Sequence, residues 1–305
     1  MRNIPLILIA TFFMSCGDWG WQSVESDHES TLNVFALLVA EPDSSYGFVI
    51  VNQTLRLQDI EKVYLGSDTV YYGQDSSEDF YIDDVYKSGY DVLDATVIIS
   101  HGDTNWIFYD EPDSIWYSYD NESKYIDTTD TFHPIPGETY NLLVETPDGR
   151  SVSGSVTVPL RPNIREESVS DSVSNKAPYS VAFSPVSDNG IFRIKTYLKY
   201  ENYSYCGSDQ SGIIASEMDT IWTSRVKDCG DWWGNAEDGP VAFQITLESI
   251  EPNYYAYFIE NGDENEFLSF ILGDGGSTGK SFGIEGGYGL FGAISSDKIE
   301  RIFVP

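Results

Sequence analysis

Carboxylates are the most abundant reactive groups in this chain, and clustered carboxylates can hold a cation. Forty-nine aspartates and glutamates stand against seventeen lysines and arginines. The run NGDENE places Asp263, Glu264 and Glu266 close together, and oxygen ligands at such short spacing suit Ca²⁺. The run does not have EF-hand spacing, so we favour a solvated acidic loop and keep these three residues as the candidate calcium ligands. No other cofactor is predicted.

Catalytic chemistry has little support in the sequence. The three histidines, His28, His101 and His133, lie in a polar stretch or in predicted turns. No serine, cysteine or carboxylate beside them stands in a recognisable nucleophile motif. The glycine-rich run GDGGSTGK has Asp274 where a phosphate-binding loop needs its first glycine. The sequence therefore predicts a protein that is not an enzyme.

Aromatic side chains offer a second kind of chemistry, the stacking contacts of glycan or protein recognition. Trp106 and Trp116 lie in one aromatic stretch with Tyr117 and Tyr119, and Trp232 and Trp233 are adjacent. For any one of them, a place in the protein core is the more ordinary interpretation. Neighbouring residues of a strand point to opposite faces, so Trp232 and Trp233 cannot both point inward. We name Trp106, Trp116, Trp232 and Trp233 as candidate surface contacts.

Three cysteines make an odd number, and Cys16 stands apart from the other two. If Cys16 is modified, Cys206 and Cys229 remain as a pair, and they would form a disulfide in an oxidising compartment. A metal site is the alternative for such a pair, but the segment between them contains no histidine. We therefore predict a disulfide.

Cys16 follows a short apolar segment that resembles an export signal. Residues 4–14 are apolar apart from Thr11, and Arg2 precedes them, but the segment is too short to span a bilayer. Phe13-Met14-Ser15-Cys16 resembles the bacterial lipobox, although leucine or a smaller aliphatic residue is usual at Phe13. The resemblance implies cleavage before Cys16 and acylation of that residue, and an ordinary signal peptide is the alternative. Gly17-Asp18 is not the aspartate-second pattern of inner-membrane retention, so we expect an outer-membrane anchor on an undetermined face.

The formal charge of −32 restricts the partners of the protein. Such a surface repels nucleic-acid phosphates, so we predict no nucleic-acid role. It also repels anionic lipid, which makes a covalent lipid the more reasonable membrane attachment. The apolar fraction of 41% and the aromatic fraction of 14% indicate a folded chain rather than a disordered one.

The pattern of the body predicts a mainly β protein. Residues 32–159 contain short alternating segments with turn signals between them, which favours a β-sandwich of the immunoglobulin-like or transthyretin-like kind. The clearest example is the alternation of Tyr140, Leu142 and Val144 before the predicted hairpin turn Pro147-Asp148-Gly149-Arg150. Residues 160–178 are rich in proline, serine and charge and are predicted to be a linker or a long connection between the halves. Residues 179–305 resume with strands, and Pro252 with Glu251 predicts one short helix there. Residues 1–15 are the predicted signal peptide, and residues 16–31 are the predicted tether.

Two long segments carry a resemblance to a known family. These are PGETYNLLVETPDGRSVSGSVTVP, which ends the predicted sandwich, and SFGIEGGYGLFGAISSDKI near the carboxyl end, after ESIEPNYYAYFIEN. With the lipobox, this arrangement resembles the Bacteroidota lipoproteins of the domain-of-unknown-function 4249 family. Gly283 departs from the pattern, because asparagine is usual there. The resemblance implies a cell-envelope lipoprotein without assigned activity, often beside TonB-dependent outer-membrane receptors.

Overall fold

The computed structural model describes residues 29–55, 62–71, 80–112, 123–184, 191–199, 208–215, 221–226, 241–260 and 280–304. Strands of the first half are β1 (Leu32–Ala40), β2 (Tyr46–Gln53), β3 (Lys62–Tyr71), β4 (Phe80–Ser88), β5 (Thr96–His101), β6 (Thr104–Pro112), β7 (Ser123–Ile126), β8 (Thr139–Glu145) and β9 (Ser151–Thr157). Those of the second half are β10 (Asn163–Ile164), β11 (Ser172–Val173), β12 (Tyr179–Ser184), β13 (Ile191–Lys199), β14 (Ser208–Ala215), β15 (Ile221–Ser224), β16 (Val241–Ile250), β17 (Ser281–Phe282), β18 (Ile284–Glu285) and β19 (Tyr288–Phe303). One α-helix, α1 (Pro252–Tyr255), continues into a π-helical turn at Ala256–Glu260, and a 3-10 turn spans Glu166–Ser168. The predicted mainly β chain with one short helix is confirmed.

A large curled sheet runs through both halves of the chain. Its strand order is β14-β13-β16-β19-β1-β2-β7-β6-β5-β8-β9-β18, and β11 and β17 also pair with β19. Strand β18 immediately precedes β19 in the chain but pairs with β9 at the far end of the order. The sheet therefore bends back on itself and encloses the core of the first half.

The centre of this sheet is a parallel pair made by the first and last described strands. Residues 33–40 of β1 lie opposite residues 288–295 of β19. Gly289 makes this approach possible, because it has φ +116° and an added Cβ would collide with the carbonyl oxygen of Val34. The next two residues of β19, Leu290 and Phe291, are fully buried. The predicted division into domains stays a prediction.

Two hydrophobic cores lie on the inward faces of the sheets. The first core alternates with solvent-facing residues on β8 and β9, where the sequence pattern predicted it: Tyr140, Leu142, Val144, Val152 and Val156. The second core lies between the large sheet and the three-stranded sheet β10-β12-β15, and it contains Phe183, Phe192, Ile194, Phe243 and Leu247. Burial of each such side chain stabilises the folded state by about 1.5–3 kcal/mol.

The segment 160–178, predicted as a linker, packs against the second core. It contains β10, the 3-10 turn and β11, and its side chains Ile164, Val169 and Val173 are buried. Backbone hydrogen bonds tie β11 to β19, from Ile302 N to Asp171 O and from Val304 N to Val173 O. This connection is a packed layer of the second half.

Helix α1 covers the outward face of β1. Pro252 suits the first helical position, and the Glu251 carboxylate accepts hydrogen bonds from the backbone N–H groups of Asn253 and Tyr254 at 2.9 and 3.1 Å. The helix and its π-helical continuation place Tyr254, Tyr257 and Phe258 on that face. Together with Phe35, Leu37, Val39 and Ile50 they form what we call the helix-covered cluster.

Candidate functional site

A polar pocket of about 390 Å³ opens where β2, the segment before β5 and the β8–β9 turn meet. The strands bring together three stretches that are far apart in sequence. The lining consists of Gln53, Asp91, Val92, Leu93, Asp94, Thr146, Pro147, Asp148 and Arg150. We call this the hairpin pocket.

The β8–β9 turn folds as its sequence predicts and supplies one wall of the hairpin pocket. The Gly149 N–H donates to Thr146 O at 2.9 Å, and the Thr146 N–H donates to Arg150 O at 3.0 Å. Gly149 has φ +88°, a conformation in which glycine has little strain. The turn therefore presents Thr146, Asp148 and Arg150 on one short, closed loop.

Arg150 is held in place by acceptors from three segments. Its Nε donates to Asp148 Oδ2 at 2.8 Å, and its Nη2 lies 2.7 Å from the same oxygen. Nη2 also donates to Gln53 Oε1 at 3.0 Å, and Nη1 donates to Ser30 Oγ at 3.3 Å. A guanidinium fixed in this way is a rigid wall of the pocket, because its planar fork is already satisfied.

The Asp148 carboxylate is strongly hydrogen-bonded although it is exposed to solvent. It accepts a short hydrogen bond from the Thr146 hydroxyl, and the backbone N–H of Arg150 donates to it at 3.3 Å. The Thr146 hydroxyl first, and then the N–H and guanidinium of Arg150, lower the pKa of Asp148. The carboxylate is therefore charged at neutral pH.

The opposite wall is the segment 90–95, which is fixed to β2 and to Tyr125. The N–H of Gln53 donates to Tyr90 O at 2.8 Å, and the N–H of Val92 donates to Val51 O at 3.0 Å. The Tyr125 hydroxyl donates to Val92 O at 2.7 Å and accepts from the Ala95 N–H at 3.0 Å. Burial raises the pKa of Tyr125 to about 12, so the phenol stays protonated and keeps both bonds.

The chemistry that the hairpin pocket offers is recognition of hydrogen-bond donors. Asp91, Asp94 and Asp148 give it three carboxylates, against the single guanidinium of Arg150, so its formal charge is −2 (three negative, one positive). Asp91 is itself buried, and Asn52 can donate to its Oδ1 at 3.2 Å. Within the described ranges, no three histidine, cysteine or acidic side chains come close enough together to hold a metal ion.

A second charged cluster lies on the outward face of the second half. Arg193 Nε donates to Glu248 Oε2 at 2.6 Å, and Lys195 Nζ donates to Oε1 at 2.9 Å. The Arg193 and Glu248 side chains are only 11% and 8% exposed. Arg193 Nη2 also donates to the hydroxyl of Tyr254, so this ion pair links β13 and β16 to α1.

The charge state of the Arg193–Glu248 pair follows from these contacts. Burial alone would raise the pKa of Glu248, but the cations of Lys195 and Arg193 outweigh burial and lower it. A neighbouring carboxylate behaves in the opposite way. Burial raises the pKa of Glu251 to about 7. The hydrogen bonds that its carboxylate accepts from backbone N–H groups lower the pKa, but they offset only part of the effect of burial.

Of the residues named from the sequence, the structure places Trp106 and two of the three histidines. Trp106 is partly buried and packs on the rings of Phe132 and Tyr140, at centroid distances of 5.2 and 6.4 Å. The packing of Trp106 agrees with the more ordinary interpretation given above, in which a tryptophan side chain belongs to the protein core. His101 Nδ1 lies 3.0 Å from Thr139 O, and His133 Nδ1 lies 3.2 Å from Ser45 O.

The other predicted residues lie outside the described residues. They are Cys16, Trp116, Cys206, Cys229, Trp232, Trp233, Asp263, Glu264 and Glu266. Their proposed roles in lipidation, disulfide formation, surface contact and calcium binding stay predictions.

Sequence reasoning missed the hairpin pocket because its walls come from three separate segments. The PDGR turn was recognised, but as a turn rather than a wall. The usable signal was Arg150, a basic residue at the end of a hairpin in a chain with few basic residues. Asp91 gave no signal, because its burial depends on pairing with Asn52 of β2.

The family assignment rests on a match that covers most of the chain. A family model described as "Domain of unknown function (DUF4249)" matches residues 39–300. The chain belongs to this family. The matched range contains β2 to β18, the last two residues of β1 and most of β19, and so includes both the hairpin pocket and the Arg193–Glu248 pair.

Two further findings bear on the function. No curated protein gave a significant match. Among the described residues, no helix has the length and apolar character needed to cross a bilayer. The family description carries no activity, so the function has to be argued from the chain itself.

Proposed function

We propose that this protein is a lipid-anchored, non-enzymatic protein of the outer membrane that serves as an accessory component of a TonB-dependent uptake system. One observation carries the proposal: an apolar, export-signal-like segment ends in the lipobox-like Phe13-Met14-Ser15-Cys16. Several acyl chains on one cysteine would hold the protein firmly, at about 0.8 kcal/mol per buried CH₂.

The position of the body relative to Cys16 supports this arrangement. Strand β1, the first strand of the described chain, begins at Leu32, sixteen residues after Cys16 (32 minus 16). Sixteen residues can reach at most about 55 Å when fully extended, at about 3.3–3.6 Å per residue. A lipid at Cys16 would thus keep the acidic body close to the membrane, and the surface of the body would not have to bind anionic lipid.

Replacing Cys16 by serine tests the anchor. In cells that process lipoproteins, we expect the wild-type protein in the membrane pellet and in the detergent phase, with a mass increase from acyl chains on Cys16. The Cys16→Ser variant should appear in the soluble fraction, and a Cys206→Ser variant is the matched control. Equal membrane association of Cys16→Ser, or an unmodified thiol on the mature wild-type protein, would contradict the proposal.

The accessory role needs its own experiment. We expect the full protein, purified from detergent-solubilised envelopes, to bring with it a large outer-membrane receptor of the TonB-dependent class. Recovery of the acylated protein without any receptor, also after chemical cross-linking in intact cells, would remove this part of the proposal and leave the anchor intact.

Glycan binding at the cell surface is the second candidate function. The hairpin pocket favours it, because its carboxylates can accept hydrogen bonds from sugar hydroxyls. The candidate aromatic contacts Trp116, Trp232 and Trp233 would add stacking surfaces. We expect the protein to be retained on a polysaccharide column. If the hairpin pocket is the binding site, Asp91→Asn should weaken retention. If the aromatic side chains bind instead, the double variant Trp232→Ala and Trp233→Ala should weaken it. Elution with the unretained fraction on every polysaccharide tested would exclude this candidate.

A further inference from the structure

The outward face of the first half carries a row of apolar side chains where an antiparallel sheet usually faces water with polar ones. Strand β9 follows the usual rule, since Ser151, Ser153, Ser155 and Thr157 are all exposed on its outward face. The neighbouring strands do not. Their outward side chains include Phe48, Ile98, Ile107, Tyr109, Ile126 and Leu143, which we call the apolar stripe.

Strand register makes the apolar stripe continuous. Ile98 lies opposite Leu143 of β8 on one side and opposite Ile107 of β6 on the other. Ile126 of β7 lies opposite both Tyr109 of β6 and Phe48 of β2. Directly opposed side chains are about 4.5–5.5 Å apart at Cβ, so the six residues cross five strands without a gap, over about 19 Å.

The middle of the apolar stripe is exposed. Ile107 and Tyr109 are 48% and 51% exposed, and they lie two residues apart on the same face of β6. Single exposed apolar residues are ordinary on protein surfaces, but contiguous ones mark interaction sites. The strand register places these two side chains within one contiguous row.

At its other end the apolar stripe continues into a face that is already covered. Phe48 contacts Phe35 at a ring distance of 5.8 Å, and Phe35 lies under Phe258 of the π-helical turn at 5.9 Å. The same outward face is therefore dry over β1, where the helix covers it, and exposed over β6. The helix-covered cluster shows what kind of aromatic and aliphatic packing this face accepts.

Charge determines which occupant suits the apolar stripe. A second copy of the chain would bring another formal charge of −32, and anionic lipid would be repelled in the same way. On the same face, Glu145 is exposed two residues beyond Leu143, and Lys124, two residues before Ile126, lies opposite Glu111. We propose that the apolar stripe is the docking surface for a different protein, one whose apolar patch is edged by lysine or arginine.

This inference rests on the proposed accessory function and names the surface through which that function would act. The test uses the full chain in the cells that make it, with a photo-cross-linking amino acid at position 109. We expect a cross-link to one protein, identified by mass spectrometry. The same amino acid at position 302 is the control site, because Ile302 is also half exposed but lies outside the stripe.

Binding of the identified partner, purified with the full chain in detergent, then decides the inference. The pair Ile107→Thr and Tyr109→Thr should weaken binding at least tenfold, and 0.5 M salt should weaken it further. The matched pair Ile221→Thr and Ile302→Thr removes exposed apolar surface elsewhere and should change binding less than twofold. Thermal unfolding of both pairs within a few degrees of the wild type would show that the fold is intact.

Four outcomes would overturn the inference. They are a cross-link to a second copy of the chain, a cross-link to lipid alone, no cross-link at position 109, and partner binding that both variant pairs reduce equally. Because binding in detergent does not need the anchor, the Cys16→Ser protein should still bind. A failure of the stripe is thus distinguishable from a failure of the anchor.

Discussion

At the scale of single residues, the Arg193–Glu248 pair should be sensitive to substitution. It is buried, and removing one partner leaves the other charge without compensation. We expect Glu248→Ala to lower the free energy of unfolding by about 3–5 kcal/mol in urea titrations. The exposed pair Lys298–Asp43, 2.9 Å apart, is the control, and Asp43→Ala should change the free energy of unfolding far less than Glu248→Ala. Equal losses in the two variants would contradict the assignment of a buried pair.

Glu251 predicts a pH dependence of stability. Its pKa is about 7 in the folded protein, above the ordinary value of 4.5, so the folded state holds a proton that the unfolded state has already released between these values. The free energy of unfolding should therefore fall as the pH rises from about 4.5 to about 7, by up to about 3 kcal/mol. Chemical denaturation at several pH values measures this fall. In Glu251→Gln the fall should be smaller by that amount, and parallel curves for the two proteins would rule the effect out.

At the scale of elements, the β1–β19 pair depends on the small size of Gly289. A side chain at position 289 would meet the Val34 carbonyl oxygen, and position 289 has a positive φ. We expect Gly289→Ala to lower the free energy of unfolding by about 2–5 kcal/mol, from strain and overpacking together. Gly102 also has a positive φ but has open space around its Cβ position, so Gly102→Ala should cost about 1 kcal/mol. Thermal unfolding of the two variants separates the collision from the strain.

The predicted disulfide is a second test at this scale. If Cys206 and Cys229 are joined, reduction should lower the free energy of unfolding by about 3 kcal/mol in the chain-entropy model. Thiol counting on the denatured, unreduced protein should find neither of these two thiols. Two free thiols in protein from an oxidising compartment would show that the pair is not joined.

Local patterns were sufficient to predict most elements. The alternation of Tyr140, Leu142 and Val144 identified β8, and Pro252 with Glu251 identified α1, because each pattern reflects neighbours along the chain. The hairpin pocket could not be predicted, since Asp91 and Arg150 meet only after β2 has paired with segment 90–92. The segment 160–178 also looked like a linker, because the few residues that bury it, Ile164, Val169 and Val173, are scattered among polar ones. The sequence pattern shows which residues are neighbours along the chain, but it does not show which distant strands pair with each other.

At the scale of the whole molecule, the excess of carboxylates predicts a salt-dependent stability. With a formal charge of −32, the folded protein repels itself, and 0.1 M salt screens the repulsion between charges that are more than about 10 Å apart. We expect the melting temperature to rise between 10 and 150 mM NaCl. Calorimetry or circular dichroism at fixed pH checks this. The same experiment at pH 4, where many carboxylates are protonated, should show a smaller rise.

The pairing of β1 with β19 also imposes a delay during biosynthesis, because β1 is made long before its partner strand. About 250 residues separate the two strands, so at roughly 5–20 residues per second a ribosome needs roughly 12–50 s between making one and making the other. During that interval β1 has no neighbour on its β19 side, and neither core can be finished. A nascent chain in this condition stays open to translocation and exposed to proteases until its final strand arrives.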